Sequence, residues 1–335
     1  MVGPYDMLGN MSDPSSQPHH PDPFDPATMP DTAAASTMRK RRWRLPIMLF
    51  LLTCFSTFWV GANIWFPIHF LEMSSVSGNW MPVRETLVSH WQDGIVYMVA
   101  VLAILLTHEM GHFLATVYYR IPASLPIFLP FPISPIGTFG AVIGMDGTRA
   151  NRREMFDIGL AGPLAGLAVA LPIVWVGLAT LDFQAPIHGP FAIDLPLAME
   201  MILDVLQPEG YERGIAIASS QLNPLFMAGW VGLLITGLNM MPVSQLDGGH
   251  VVYTLFGRKA HWIARGFMVF AIAYIIFADN WNLGVMVLLV LLMGTDHPPT
   301  RDDHARLGAV RICLGYSSLL IPILCFAPRI IILRS

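Results

Sequence analysis

The chain has 335 residues, 54% hydrophobic and 13% charged, and its mean hydropathy is +0.55. Such values exclude an ordinary soluble domain and point to a polytopic membrane protein. The net charge of −4 decides little, because in a membrane chain the position of each charge outweighs the sum, and no nucleic-acid partner is expected. Cys54, Cys313 and Cys325 are odd in number and lie in apolar segments, so neither a disulfide framework nor a thiolate metal site is expected.

Residues 1–38 are rich in Pro, Ser, Asp and His without apolar periodicity and read as a disordered cytoplasmic tail, with His19 and His20 as solvated residues. No cleavable signal peptide is read ahead of the first span. The basic block Arg39–Arg44 then precedes an apolar run at about 45–66, the pattern of a cytoplasmic flank. Further spans are expected at about 94–119, 156–181, 222–243, 262–278 and 283–295. The last, at about 308–333, is expected to be kinked by Pro322. Alternating these spans puts fifteen of the nineteen Lys and Arg on the side of the basic block, leaving Arg84, Arg213, Arg329 and Arg334 outside. The expected fold is therefore an all-α polytopic membrane protein with about 6–7 transmembrane helices.

Between the second and third spans, residues 121–140 are apolar but carry five prolines within fifteen residues, which forbids a helix. A re-entrant loop lining a cavity is expected, because irregular backbone at membrane depth needs protein or water to satisfy it. The acidic stretch 182–220 falls on the outer side and reads as a loop with a short amphipathic helix near 195–206.

Thr107-His-Glu-Met-Gly-His-Phe113 places three ionisable residues inside the second span, where charge is costly and usually functional. On a helix, His108 and His112 share a face, the spacing with which two imidazoles grip one zinc ion. Glu109 is then placed to act as general base toward a zinc-activated water. A catalytic zinc also needs a third protein ligand and an open position. Arg120 marks the end of this span, so at 1.5 Å per residue the histidines lie roughly 12–18 Å below that face. Asp247 is the best candidate to reach that depth, because Pro242 and Gly248-Gly249 break the helix beside it. Asp146 and Asp157 compete, the latter also explained as a partner for a helix dipole, and His250 reads as a satisfied polar residue.

These residues resemble the site-2 protease family of intramembrane zinc metalloproteases, in which HExxH on one span meets LDG on a later one. The motifs are His108-Glu-Met-Gly-His112 and Leu246-Asp-Gly248, and the match extends to Gly137-Thr-Phe-Gly140, Phe156 to Gly166, Asn223-Pro224 and Asn239-Met-Met-Pro242. It covers about 100–260, and Asp296-His-Pro-Pro299 is similar to the branch with chloroplast members and their bacterial relatives. The resemblance implies one Zn2+ per chain on His108, His112 and Asp247, Glu109 as catalytic base, and Asn239 beside the substrate or developing oxyanion. It also implies that the backbone around Gly137, Thr138, Phe139 and Gly140 receives an extended substrate strand. Neither of the PDZ and CBS domains that many members carry is read in this sequence.

The organisation expected is a tail at 1–38, a first helix and outer loop at 39–93, a catalytic membrane core at 94–260, and C-terminal helices at 261–335. The expected partners are a transmembrane protein substrate and the lipid bilayer. A bacterial cytoplasmic membrane is favoured, because no Arg-rich, Ser-rich transit peptide is read. The alternatives are a polytopic metal transporter and a non-catalytic relative that binds membrane proteins without cutting them.

Overall fold

The computed structural model describes residues 43–243, 245–277, 284, 298–327, 329 and 331–333. Among the described residues four helices are long and apolar enough to cross a membrane: Arg44–Ala62, Met81–Tyr118, Arg152–Ala179 and Asp247–Phe277. The protein is a membrane protein and mostly helical, but short strands make it not all-α. The tail expected at 1–38, the sixth expected span apart from residue 284, and the Asp296-His297 pair lie outside the described residues.

Helix α1 (Arg44–Ala62) stops earlier than expected, where Ile64 and Trp65 adopt positive φ, and α2 (Pro67–Ser77) follows. Helix α3 (Met81–Tyr118) begins well before the expected span and contains a break at His90. Residues 121–145 are not a helix, as their prolines dictate. They fold into the antiparallel pair β1 (Ile127–Phe131) and β2 (Gly137–Val142), with a register irregularity between Phe128 and Pro130. Donated bonds from the Ser56 hydroxyl to the Gly137 carbonyl (2.5 Å) and from the Tyr97 hydroxyl to the Ile136 carbonyl (2.6 Å) pin this hairpin to α1 and α3.

Helix α4 (Arg152–Ala179) starts at Asn151, whose side chain accepts from the Arg153 and Glu154 N–H groups while Glu154 accepts from the Asn151 N–H. The outer segment then forms β3 (Phe191–Ile193), α5 (Leu197–Leu206) and β4 (Ile217–Ala218). Helix α5 matches the short amphipathic helix expected there, while the strands are additional. Asn223 joins α4 to α6 (Pro224–Asn239): its side chain caps the Phe226 N–H and donates to the Gly177 carbonyl. Gly177 permits that approach, because a Cβ there would lie 2.7 Å from the Phe226 Cα.

After α6 come α7 (Asp247–Phe256), α8 (Ala260–Phe277), α9 (Ala309–Ser318) and α10 (Ile321–Cys325). The break before Pro322 was expected, whereas the chain's last apolar stretch was not expected to leave the helix. Its residues Ile331–Leu333 form β5, which pairs with β3 opposite β4. The core lies where α3, α4 and α6 meet, around Trp230, Phe226, Phe156, Ile104 and Tyr97.

Candidate metal centre

Each potential ligand reaches the centre for a local reason. His108 and His112 lie one helical turn apart on α3, so both rings leave the same face. Asp247 begins α7, and the tight path into it depends on Gly248. A Cβ on that glycine would collide with the carbonyl of Met240 at the end of α6. The sequence Met240 to Gly248 thus folds back on itself and turns the Asp247 carboxylate toward α3.

The three donors meet. His108 Nε2 is 3.2 Å from Asp247 Oδ2, His112 Nε2 is 3.2 Å from Asp247 Oδ1, and the two Nε2 atoms are 3.2 Å apart. A tetrahedral ion with bonds of about 2.0–2.1 Å holds its ligands about 3.3 Å from one another, so these separations fit one small cation. His108 and His112 are 3% and 6% exposed, and the Asp247 side chain is 15% exposed. Among the described residues this is the one cluster of three side chains able to hold a metal ion.

The rings are held from behind. His112 Nδ1 lies 2.7 Å from the Ile158 carbonyl, which requires the proton on Nδ1 and leaves the Nε2 lone pair facing the cluster. Helix α4 is moulded to α3 by glycines. A Cβ on Gly162 would run into the His112 ring, and one on Gly166 would lie 3.0 Å from His108 Nδ1. Gly111, between the histidines, lets α3 approach α4, because a Cβ there would sit 2.6 Å from the Ala161 carbonyl oxygen.

A cavity of about 560 Å³ opens over the cluster, lined by His108, Glu109, His112, Asn239, Asp247 and His250 among others. Glu109 is 5% exposed and faces this space. The Asn239 Nδ2 lies 3.5 Å from His108 Nε2, at the outer limit of a hydrogen bond.

The competing carboxylates are committed elsewhere. Asp146 lines the cavity mouth, bonded to the Thr148 hydroxyl (2.7 Å) and paired with Arg149 (2.8 Å). Those partners, Thr148 first, hold its carboxyl below the usual range. Asp157 is not simply a dipole partner. Arg311 of α9 grips it with two bonds of 2.8 Å and the Tyr119 hydroxyl donates to it at 2.5 Å, so it fastens three elements together.

Gly137, Thr138, Phe139 and Gly140 do not line the cavity; Ala141, Val142 and Ile143, the following residues, do. Thr138 is buried and its hydroxyl serves the hairpin, donating to the Leu129 carbonyl and accepting from the Gly140 N–H. Phe139 stacks on Phe131 at 4.2 Å. Reading the sequence also missed Gln245, Leu246 and Pro298 as lining residues. Leu246 and Pro298 belong to motifs that carry the family resemblance, which gave them no lining role, and Gln245 adjoins the first of these motifs.

A model described as Peptidase family M50 matches residues 96–278. The chain is 32% identical over 227 residues to a protein of Oryza sativa subsp. japonica described as probable zinc metalloprotease EGY1, chloroplastic, covering 64% of this chain and 38% of that protein. The Arabidopsis thaliana protein of the same description is 31% identical over 259 residues, 74% of this chain and 45% of its own. Probable zinc metalloprotease EGY2, chloroplastic, of Arabidopsis thaliana is 32% identical over 244 residues, 67% and 42%. The matched stretch covers less than half the length of each of these relatives.

Proposed function

The chain belongs to peptidase family M50, the site-2 protease family, and from that premise we propose that it is an intramembrane zinc endopeptidase cleaving peptide bonds within or beside membrane-spanning segments of other proteins. The observation that carries this reading is the convergence of His108, His112 and Asp247 at ligand separations, with Glu109 beside them in one cavity. His108, His112 and Asp247 are the proposed zinc ligands. Zinc, when bound there, supplies a Lewis acid that makes water nucleophilic near neutral pH.

The chain's own groups do the rest. Glu109, buried beside the ligands, accepts the proton of the attacking water and returns it to the departing amine. Its burial keeps that transfer away from bulk water. Asn239 is the proposed donor to the substrate carbonyl, since its amide sits at the edge of the cluster. Among the described residues β2 pairs only with β1, so its other edge offers backbone groups to an unwound substrate strand. Residues Ala141–Ile143 would carry that strand to the cavity, with Gly137–Gly140 as the first part of the edge.

Several finer readings belong to the same proposal. Six or seven spans, with residues 121–145 re-entering from the basic side, agree with the clustering of Lys and Arg near the ends of α3, α4 and α7. That side, with the N-terminal tail, is proposed to be cytoplasmic or its organellar equivalent. The bacterial cytoplasmic membrane expected from the sequence finds no support in relatives described as chloroplastic. The catalytic core at 94–260 is retained as a proposal, flanked by 39–93 and 261–335.

A transporter needs further ligand clusters along its path. Among the described residues no second one exists. The test is reconstitution of the full chain in proteoliposomes with single-span substrate proteins. Wild type is expected to cut them and Glu109→Ala not to; equal cleavage by both removes Glu109 from the mechanism. Zinc flux without cleavage would favour the transporter instead.

A further inference from the structure

A second groove, of about 470 Å³, opens where the end of α7, the start of α4 and α9 come together. Its walls divide by chemistry. Arg152 and Arg306 stand at it, Leu255, Ile312 and Tyr316 supply apolar surface, and no carboxylate is among the described residues that line it. Arg152 is fixed in place, donating Nε to the Thr254 carbonyl at 2.6 Å and Nη2 to the Leu255 carbonyl at 3.4 Å. The exposed Arg306 guanidinium has no hydrogen-bonding or ion-pair partner among the described residues. Of the other cations nearby, Arg311 is consumed by Asp157 and Arg153 donates its Nε to the Arg306 carbonyl. At the same place Gly308 begins α9 without a side chain capping the first N–H groups of the helix.

The groove's position gives this arrangement its meaning. Arg152 opens a membrane-length helix, so the charged end lies at a bilayer boundary. Tyr316 lies seven residues into α9 from Ala309, about 10 Å along the helix axis, and its ring packs on Phe256 at the end of α7. Val310, Leu314 and Leu320 present exposed apolar surface on the same C-terminal helices. Cations at the boundary with an apolar wall beside them match a phosphate headgroup joined to an acyl chain. A soluble anion would leave the apolar wall unused, and a choline headgroup would set its own cation against two guanidiniums.

We propose that this groove binds an anionic phospholipid, its phosphate at Arg152, Arg306 and the start of α9, and an acyl chain along Leu255, Ile312 and Tyr316. The site is separate from the metal centre and does not depend on the protease reading. The test is titration of the delipidated full chain with phosphatidylglycerol or phosphatidylcholine in mixed micelles, read by native mass spectrometry and by the thermal midpoint. Circular dichroism and a monodisperse size-exclusion profile check that each variant is folded.

Phosphatidylglycerol is expected to stay bound and raise the midpoint, and phosphatidylcholine is not. Arg306→Ala should weaken phosphatidylglycerol binding about fivefold, the loss expected for one interfacial cation. Ile312→Glu should remove binding altogether. Arg301→Ala, which deletes a neighbouring exposed charge paired with Glu154 outside the groove, should leave binding unchanged. Equal binding of the two lipids, equal losses in Arg306→Ala and Arg301→Ala, or the same shift from inorganic phosphate alone would each overturn the proposal.

Discussion

Gly162→Ala is the sharpest perturbation of the proposed zinc site that touches no ligand. The added methyl would overlap the Nε2, Cδ2 and Cε1 atoms of His112, so the ring must leave its position. Leaving breaks the 2.7 Å bond to the Ile158 carbonyl, which keeps its own helical partner, and strands the buried His112 Nδ1–H donor, a cost of about 1–3 kcal/mol. The alternative, pushing α4 away from α3, is overpacking of similar cost. Either route lowers zinc affinity by about 10- to 100-fold, the range seen when a ligand loses its supporting partner. Gly166→Ala is the internal comparison. Its methyl would lie 3.0 and 3.1 Å from His108 Nδ1 and Cβ, a crowding that a shift of a few tenths of an ångström relieves, so the loss should be several-fold at most. Zinc competition against a chromophoric chelator, with the thermal midpoint as a control, measures both. Zinc affinity for Gly162→Ala within twofold of wild type would refute the reasoning.

Gly248→Ala should be more damaging to the fold, because its methyl meets the Met240 carbonyl, which is backbone and cannot swing aside; proteolytic resistance and zinc content should fall together. Asp157→Asn breaks a two-pronged charge-assisted contact to Arg311 but leaves the zinc ligands alone. It should lower unfolding stability by about 1–3 kcal/mol while the zinc content of the folded fraction stays at the wild-type level. Asp303 gives a pH signature outside the membrane. Burial raises its carboxyl pKa, but hydrogen bonds from Thr300 and Tyr253 outweigh it and leave the group below the ordinary value. A lowered folded value stabilises above about pH 4 and loses that contribution as pH falls through it. Hydrogen-exchange protection factors around Thr300, corrected for the intrinsic rate, should therefore fall on acidification below about pH 4 in wild type and change less in Asp303→Asn.

The metal cluster was legible because its signal is local: two histidines at helical spacing, and an aspartate after a proline and before two glycines. Gly162 and Gly166 of α4 enter the sequence reading only as part of the matched stretch Phe156 to Gly166. That Gly162 serves His112 and Gly166 serves His108 depends on the rotation of one helix against another, which sequence does not encode locally. The prolines of 121–140 ruled out a helix, yet the register Ile127 to Val142 follows from contacts with α1 and α3. Likewise Asp157 and Arg311 are separated by 154 residues, and their pairing needed the fold. The strand at Ile331–Leu333 was misread because a short apolar run looks the same at the end of a membrane helix and in a buried strand.

Zinc content of the detergent-purified full chain is the most direct measurement of the proposed centre. About one zinc per chain is expected in wild type and in Glu109→Ala, with loss from His108→Ala, His112→Ala and Asp247→Ala. Full zinc in folded Asp247→Ala, or none in folded wild type, would contradict a centre built from His108, His112 and Asp247.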